Sequence, residues 1–311
     1  MVRVTVYHVD AFSVIANQGN PAGVVLDADQ LKPGDMQKIA FQVGFNETVF
    51  VLKSEIADLK LKYYTPGHEI NLCGHATIAS LYCLKTRGFF EGRDSIQIET
   101  NGGILPISFN AEDHLIIGMK QQKPEFIPFG GDTRKLAESM GLTEDCLDVT
   151  KPIVYGSTGI WTLLVPIRQL DSFKIMKPNN KQFPEILAQN PKASVHPFCF
   201  ETYDENAFMH ARHFSSPYSG TVEDPVTGTA SGVMGAYYLT YIDQDLNDIQ
   251  FIVEQGQEIN RDGKVHVHAI RQNEMDIFIS GTAVLVKEFE VEYPLLYECD
   301  NSFDNILWRM T

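Results

Sequence analysis

The chain has 311 residues, 44% hydrophobic and 21% charged, with a formal net charge of −15 at pH 7. That length accommodates one or two ordinary domains with a full core, and the composition excludes a disordered or fibrous protein. The negative balance, with no run of Lys or Arg to offset it locally, argues against nucleic acid and anionic membranes as partners.

Taken in order, the chain opens on MVRVTVYHVDAF, which alternates as a strand does and lacks the continuous apolar stretch of a signal peptide. NETVFVLK and LKLKYY continue the alternation. HATIASLYCLKTRG (75–88) is different: it is apolar or small on nearly every side until its last turn, which predicts a helix buried all round. WTLLVPI reads as a strand, TASGVMGAYYLTY (229–241) as a second all-round buried helix, and KVHVHAI and MDIFISG as further strands. No apolar run is long enough to span a bilayer. The cysteines (Cys73, Cys83, Cys146, Cys199, Cys299) are odd in number and show no CxxC spacing. Reduced thiols in a cytoplasmic protein are the expectation.

The chain also repeats itself once. EINLCGHA at 69–76 and EDPVTGTA at 223–230 share the pattern Glu-x-x-apolar-(Cys/Thr)-Gly-x-Ala at an offset of 154 residues (223 − 69). An aromatic-(Thr/Ser)-Pro element precedes each, YYTP and HFSSP, and a strand-like segment ending in Glu follows each, with Glu99 and Glu254 at nearly the same offset. A single repeat of this length predicts two similar domains about a pseudo-twofold axis. Short alternating strands around a wholly buried helix predict the architecture of each: α+β, two pseudo-symmetric domains, each a curved, mostly antiparallel β-barrel around a central helix.

Each buried helix begins beside a glycine, at Gly74-His75 and Gly228-Thr229. Free first-turn amides and the helix dipole favour an anion there, and glycine lets it approach. The same glycines would also allow close packing of helix on sheet. Glu47 in FNETVFV reads by itself as an outward-facing strand residue, and Asp224 before Pro225 as a turn or cap residue. Cys73 stands where a two-thiol racemase would carry one base, but the second half has Thr227 there. Cys73 therefore reads as a small buried residue, and Cys73 with His75 is not expected to form a dyad, because residues i and i+2 diverge on a strand or helix. His68, His75, His266 and His268 lack the further ligands of a zinc site, and no GxGxxG or GxxxxGK[ST] occurs, so neither metal nor nucleotide cofactor is expected.

VDAFS…GNPAGVV (9–25), NETVFV (46–51), YTPGHEINLCGHAT (64–77), EDPVTGTAS (223–231) and EQGQEINRDGKVHV (254–267) together resemble the PhzF-like family of phenazine-biosynthesis isomerases, in order as far as about residue 289. The resemblance implies the diaminopimelate epimerase fold, with the active site between two pseudo-symmetric halves. It places domains at 1–118 and 119–282, with 283–311 returning to the first. It implies a cofactor-independent isomerase, with Glu47 as the carboxylate that takes a proton from one carbon and returns it to another. Gly74, His75, Asp224, Gly228 and Thr229 become substrate-binding positions, where the family often has Ser in place of Thr229. The expected partner is a small carboxylate-bearing substrate, and the resemblance allows a homodimer. An epimerase using another base pair, or a binding protein that keeps the cleft without turnover, are the alternatives. Residues 290–311 extend past the usual end and carry no functional reading.

Overall fold

Alternation becomes strand wherever one face meets the core. In LKLKYY, Leu59, Leu61 and Tyr63 are buried while Lys60 and Lys62 stay partly in water. In GKVHVHAIR, Val265, Val267 and Ala269 point inward, and the two histidines of the HxH face outward, His268 against Asp248 at 3.0 Å. A computed structural model describes residues 2–111 and 113–293.

The first half contains β1 (Val2–Ala11), β2 (Asn20–Val25), α1 (Pro33–Val43), β3 (Glu47–Leu52), β4 (Leu59–Tyr64), β5 (Glu69–Ile70), α2 (Gly74–Lys85), β6 (Ser95–Thr100), β7 (Gly103–Ala111) and β8 (Leu115–Lys120). The second contains β9 (Glu125–Pro128), α3 (Thr133–Ser139), β10 (Val154–Ser157), β11 (Trp161–Pro166), α4 (Asp171–Ile175), α5 (Phe183–Ile186), β12 (Ser194–Cys199), β13 (Met209–Ala211), α6 (Gly228–Tyr237), β14 (Asp248–Gln255), β15 (Gly263–Arg271) and β16 (Met275–Gly281). The last described strand, β17 (Ala283–Tyr293), pairs along its length with β1. Residues 294–311, which include Cys299, lie outside the described residues.

Backbone pairing makes the repeat explicit. The first series runs β17–β1–β2–β3–β4–β6–β7–β8, and the second runs β9–β10–β11–β12–β13–β14–β15–β16. In both, successive neighbours are antiparallel, antiparallel, parallel, antiparallel, parallel, antiparallel and antiparallel. Even the register corresponds: Lys60 stands opposite Glu99 in the first series, and His210 opposite Glu254 in the second. The strand pairing by itself does not show closure of either series into a barrel. Among the described residues no pairing joins β8 back to β17 or β16 back to β9. Instead β8 pairs with β16, so the halves run into one another as a continuous, mixed sheet.

Each series wraps a central helix. α2 packs on β1, β2, β3, β8 and β17, and α6 on β10, β14, β15 and β16. One apolar core runs through both, with Ile78 and Leu81 of α2 and Val233 and Met234 of α6 all fully buried. Further helices cover the outer faces: α1 lies over Phe50 and Tyr64, while α3, α4 and α5 close over Tyr155, Val195 and Phe214. Strands covered on both faces lose their alternation, as at Val49–Val51. The helices differ slightly from the predicted spans. α2 stops at Lys85, whose ammonium donates to the carbonyls of Phe90 and Arg93 and draws the chain away. α6 ends as α-helix at Tyr237 and continues as a wider π turn over Tyr238–Ile242, where the Arg271 guanidinium bonds the Leu239 carbonyl. Among the described residues no helix is long and apolar enough to cross a membrane.

Candidate active site

The two helix starts converge. A Cβ built on Gly74 would lie 4.0 Å from Ile279 Cδ1, and one on Gly228 2.6 Å from the same atom. The residue before each glycine, Cys73 or Thr227, is an N-cap in extended conformation (φ −142°, ψ 118° and φ −116°, ψ 98°), and neither side chain makes a capping hydrogen bond. The first-turn amides of both helices therefore face the cleft without the usual side-chain oxygen.

Three of the expected residues meet on the first-half side. Glu47 opens β3 with its side chain 19% exposed, and its Oε2 lies 3.2 Å from His75 Nε2. Cys73 Sγ lies 3.4 Å from His75 Nδ1 and 3.8 Å from Nε2. Two sequence expectations are corrected here. Cys73 and His75 do not diverge, because one is the extended cap and the other the second helical residue, and the chain turns between them. His75 also has companions of metal-ligating type: donor atoms of Glu47, Cys73 and His75 all lie within 4.8 Å of one another.

Burial pushes the Cys73 thiol up from its ordinary pKa, so it is protonated at neutral pH. Burial also works against charge on His75, but negative charge on Cys73 or Glu47 works the other way and moves the imidazole well above its ordinary pKa. With the thiol protonated, Glu47 is the neighbour that supports charge on His75.

Asp224 faces this group from the second half through a residue that the sequence did not single out. Asn20, fully buried at the start of β2, donates from Nδ2 to Asp224 Oδ1 and to the Val226 carbonyl, both at 2.8 Å. The same nitrogen lies 3.3 Å from His75 Nδ1. One amide therefore ties both halves of the cleft. Its only sequence signal was its place in GNPAGVV. Asp224 Oδ2 accepts from the Thr227 hydroxyl at 2.5 Å. Gln255, equally unforeseen, accepts from the Thr227 amide at 3.1 Å and donates to the Asp224 carbonyl at 2.7 Å. Thr229 is partly buried; its carbonyl accepts from the Thr158 hydroxyl at 3.0 Å. Gly228 is held against Phe12 and Ile279, so packing accounts for this glycine, whereas a Cβ on Gly74 would make only ordinary contacts, with Met119 Sδ at 3.9 Å and Ile279 Cδ1 at 4.0 Å.

The chain is 52% identical over 289 residues to the protein of Bacillus subtilis named Uncharacterized isomerase YfhB, a match that covers 91% of this chain and 97% of that one. It is 28% identical over 265 residues to trans-2,3-dihydro-3-hydroxyanthranilate isomerase of Pseudomonas aeruginosa, covering 84% and 88%. Its fold superposes with a TM-score of 0.92, at 54% identity, on the crystal structure of the Bacillus anthracis phenazine biosynthesis protein of the PhzF family, covering 94% of this chain and all of that one. These likenesses define the class: the chain is an isomerase. The family model PhzC-PhzF, phenazine biosynthesis-like protein, matches residues 9–289, and the chain belongs to that family.

Proposed function

We propose that the cleft catalyses proton transfer between carbons of a small carboxylate-bearing substrate, without a cofactor, with Glu47 as the acid/base. The observation that carries this reading is the Glu47 carboxylate placed 3.2 Å from His75 Nε2, beside two helix starts without side-chain caps. The substrate carboxylate would lie against the first-turn amides of α2 and α6, an anion site that needs no arginine. Glu47 takes a proton from the adjacent carbon, the electron pair moves into the conjugated carboxylate system, and the same carboxyl returns the proton to another carbon. His75 supports the anionic form of Glu47 across their 3.2 Å contact, while Asn20 gives both its amide hydrogens to Asp224 and the Val226 carbonyl and so ties the two halves together beside the imidazole. The anthranilate-type name of the P. aeruginosa relative supports a cyclic hydroxy acid as the substrate class. The free thiols of Cys73, Cys83, Cys146 and Cys199 support a reducing, cytoplasmic setting.

The alternative base is Cys73, favoured by its 3.4 Å approach to His75. Exchange of substrate carbon-bound hydrogen with solvent deuterium decides between them. Glu47→Gln is expected to slow exchange by about a hundredfold to ten-thousandfold, the usual effect of losing a general base. Cys73→Ser is expected to slow it far less. If Cys73→Ser stops exchange and Glu47→Gln retains it, the base is the thiol.

A further inference from the structure

The Glu47–Cys73–His75 group has a second capability that proton transfer does not use. It brings a thiol, an imidazole and a carboxylate to one point, and their spacing is that of a coordination shell. Cys73 Sγ lies 3.8 Å from His75 Nε2, which lies 3.2 Å from Glu47 Oε2. A tetrahedral cation with metal–sulfur bonds of about 2.3 Å and metal–nitrogen and metal–oxygen bonds of about 2.0–2.2 Å separates sulfur from nitrogen by about 3.6 Å and nitrogen from oxygen by about 3.4 Å. Both observed spacings fall within about 0.2 Å of these values, and the third, from sulfur to carboxylate oxygen, is within 4.8 Å.

A second observation is independent of the spacing. Glu47 Oε2 is buried and makes no hydrogen bond of good geometry, its near contact being the 3.2 Å ion pair with His75 Nε2. A buried carboxylate oxygen left without a donor is an acceptor waiting for one. The net charge of −15 favours cations at such a point.

We propose that Glu47, Cys73 and His75 form an inhibitory site for a thiophilic divalent cation such as Zn2+, which competes with the carboxylate substrate. On binding, the Cys73 S–H bond and the His75 Nε2–H bond break, both protons pass to solvent, and sulfur–metal and nitrogen–metal bonds form; no atom changes oxidation state. Three protein ligands leave a fourth position open to water or to a substrate oxygen. The bound imidazole carries its proton on Nδ1, facing the Asn20 amide nitrogen 3.3 Å away, so Asn20 has to rotate. That unfavourable neighbour sets the expected affinity at the micromolar level rather than that of a four-ligand structural zinc site. Occupancy removes Glu47 from proton transfer; this inhibitory part rests on the proposed function, whereas metal binding itself does not.

The test uses the full chain, freed of metal with a chelator and titrated with Cd2+ while the sulfur-to-cadmium ultraviolet absorption is followed. One equivalent is expected to bind, and Zn2+ should displace it. The band should be absent in both Cys73→Ser and Cys73→Ala, weakened at least tenfold in Glu47→Gln, and unchanged in Cys146→Ser. A wild-type protein that gives no band, or a band that survives in Cys73→Ala and disappears in Cys146→Ser, overturns the site. Deuterium exchange by the metal-free protein keeps the two readings apart. Exchange without metal upholds acid/base catalysis whatever Cd2+ does, and exchange that requires metal upholds the site while overturning its inhibitory role.

Discussion

At the start of α2, a methyl group on Gly74 would meet nothing closer than 3.9 Å, whereas at the start of α6 one on Gly228 would lie 2.6 Å from Ile279 and 3.2 Å from Phe12. The caps differ in the same sense. Thr227 has its hydroxyl committed to Asp224 at 2.5 Å and its amide to Gln255 at 3.1 Å. Cys73 has a protonated thiol turned towards His75 and Glu47. Two copies of one frame have thus separated into a packed half that holds the site rigid and an open half that carries the titratable groups. A twofold repeat in sequence need not mean a twofold division of chemistry.

The same division recurs away from the cleft, and the largest predicted effect lies there. Glu99 and Glu254 hold equivalent register positions, but Glu99 pairs with Lys60 near the surface, while Glu254 pairs with His210 at 3.0 Å with both side chains wholly buried. Glu254 also accepts from the amides of Tyr203 and Asp204. Glu254→Ala is expected to destabilise the protein by about 3–5 kcal/mol, because it breaks a buried ion pair, leaving His210 only Glu258 at 3.1 Å, and takes the acceptor from the Tyr203 and Asp204 amides, and Glu99→Ala to have a much smaller effect. Denaturant unfolding of the two variants measures the difference; equal losses would show that the halves are energetically alike.

A smaller contrast sharpens the comparison at the helix starts. Gly228→Ala is expected to destabilise by about 1–2 kcal/mol through overpacking against Ile279 and Phe12. Gly74→Ala should leave the melting temperature nearly unchanged, since its methyl makes only ordinary contacts with Met119 and Ile279, while raising KM through the crowding of the first-turn amides. If Gly74→Ala lowers stability as much as Gly228→Ala does, both glycines are packing residues and the anion reading of the first helix start fails.

The smallest effect is one of pH. Where the first half pairs the hydroxyls of Tyr63 and Thr77 at 2.6 Å, the second places His196 against His213, with their Nδ1 atoms 3.1 Å apart. Burial pushes His196 well below its ordinary pKa and His213 down to about 4. A histidine whose pKa is lowered by folding contributes stability above its unfolded pKa and loses it as pH falls through the folded value. The groups facing this pair are Asp224, which favours charge on His213, and His210, which opposes it on His196. Stability should therefore fall between about pH 6.5, the unfolded value, and pH 4. In His213→Asn, which keeps a polar group near the Nδ1 position, the fall should be shallower. Melting temperatures across that range, compared with wild type, would show parallel curves if the pair plays no part.

Much of this molecule was legible in the chain. The 154-residue offset between EINLCGHA and EDPVTGTA determined that the halves correspond, since like segments at like spacing fold alike. The absence of a polar face on 75–88 and 229–241 determined that both helices would be buried. Family motifs pointed to Glu47, His75 and Asp224. The tertiary structure alone decided which of them meet. The rule that i and i+2 diverge holds within a regular element, and Cys73 and His75 straddle the boundary of one, where an extended cap turns into a helix and folds their side chains together. Asn20 reaches Asp224 across 204 positions of sequence, a separation at which local pattern carries no signal. How the two series meet was likewise decided only by the assembled fold: β8 finds its partner in β16, because edge strands complete their hydrogen bonds with whichever backbone the packed helices bring beside them.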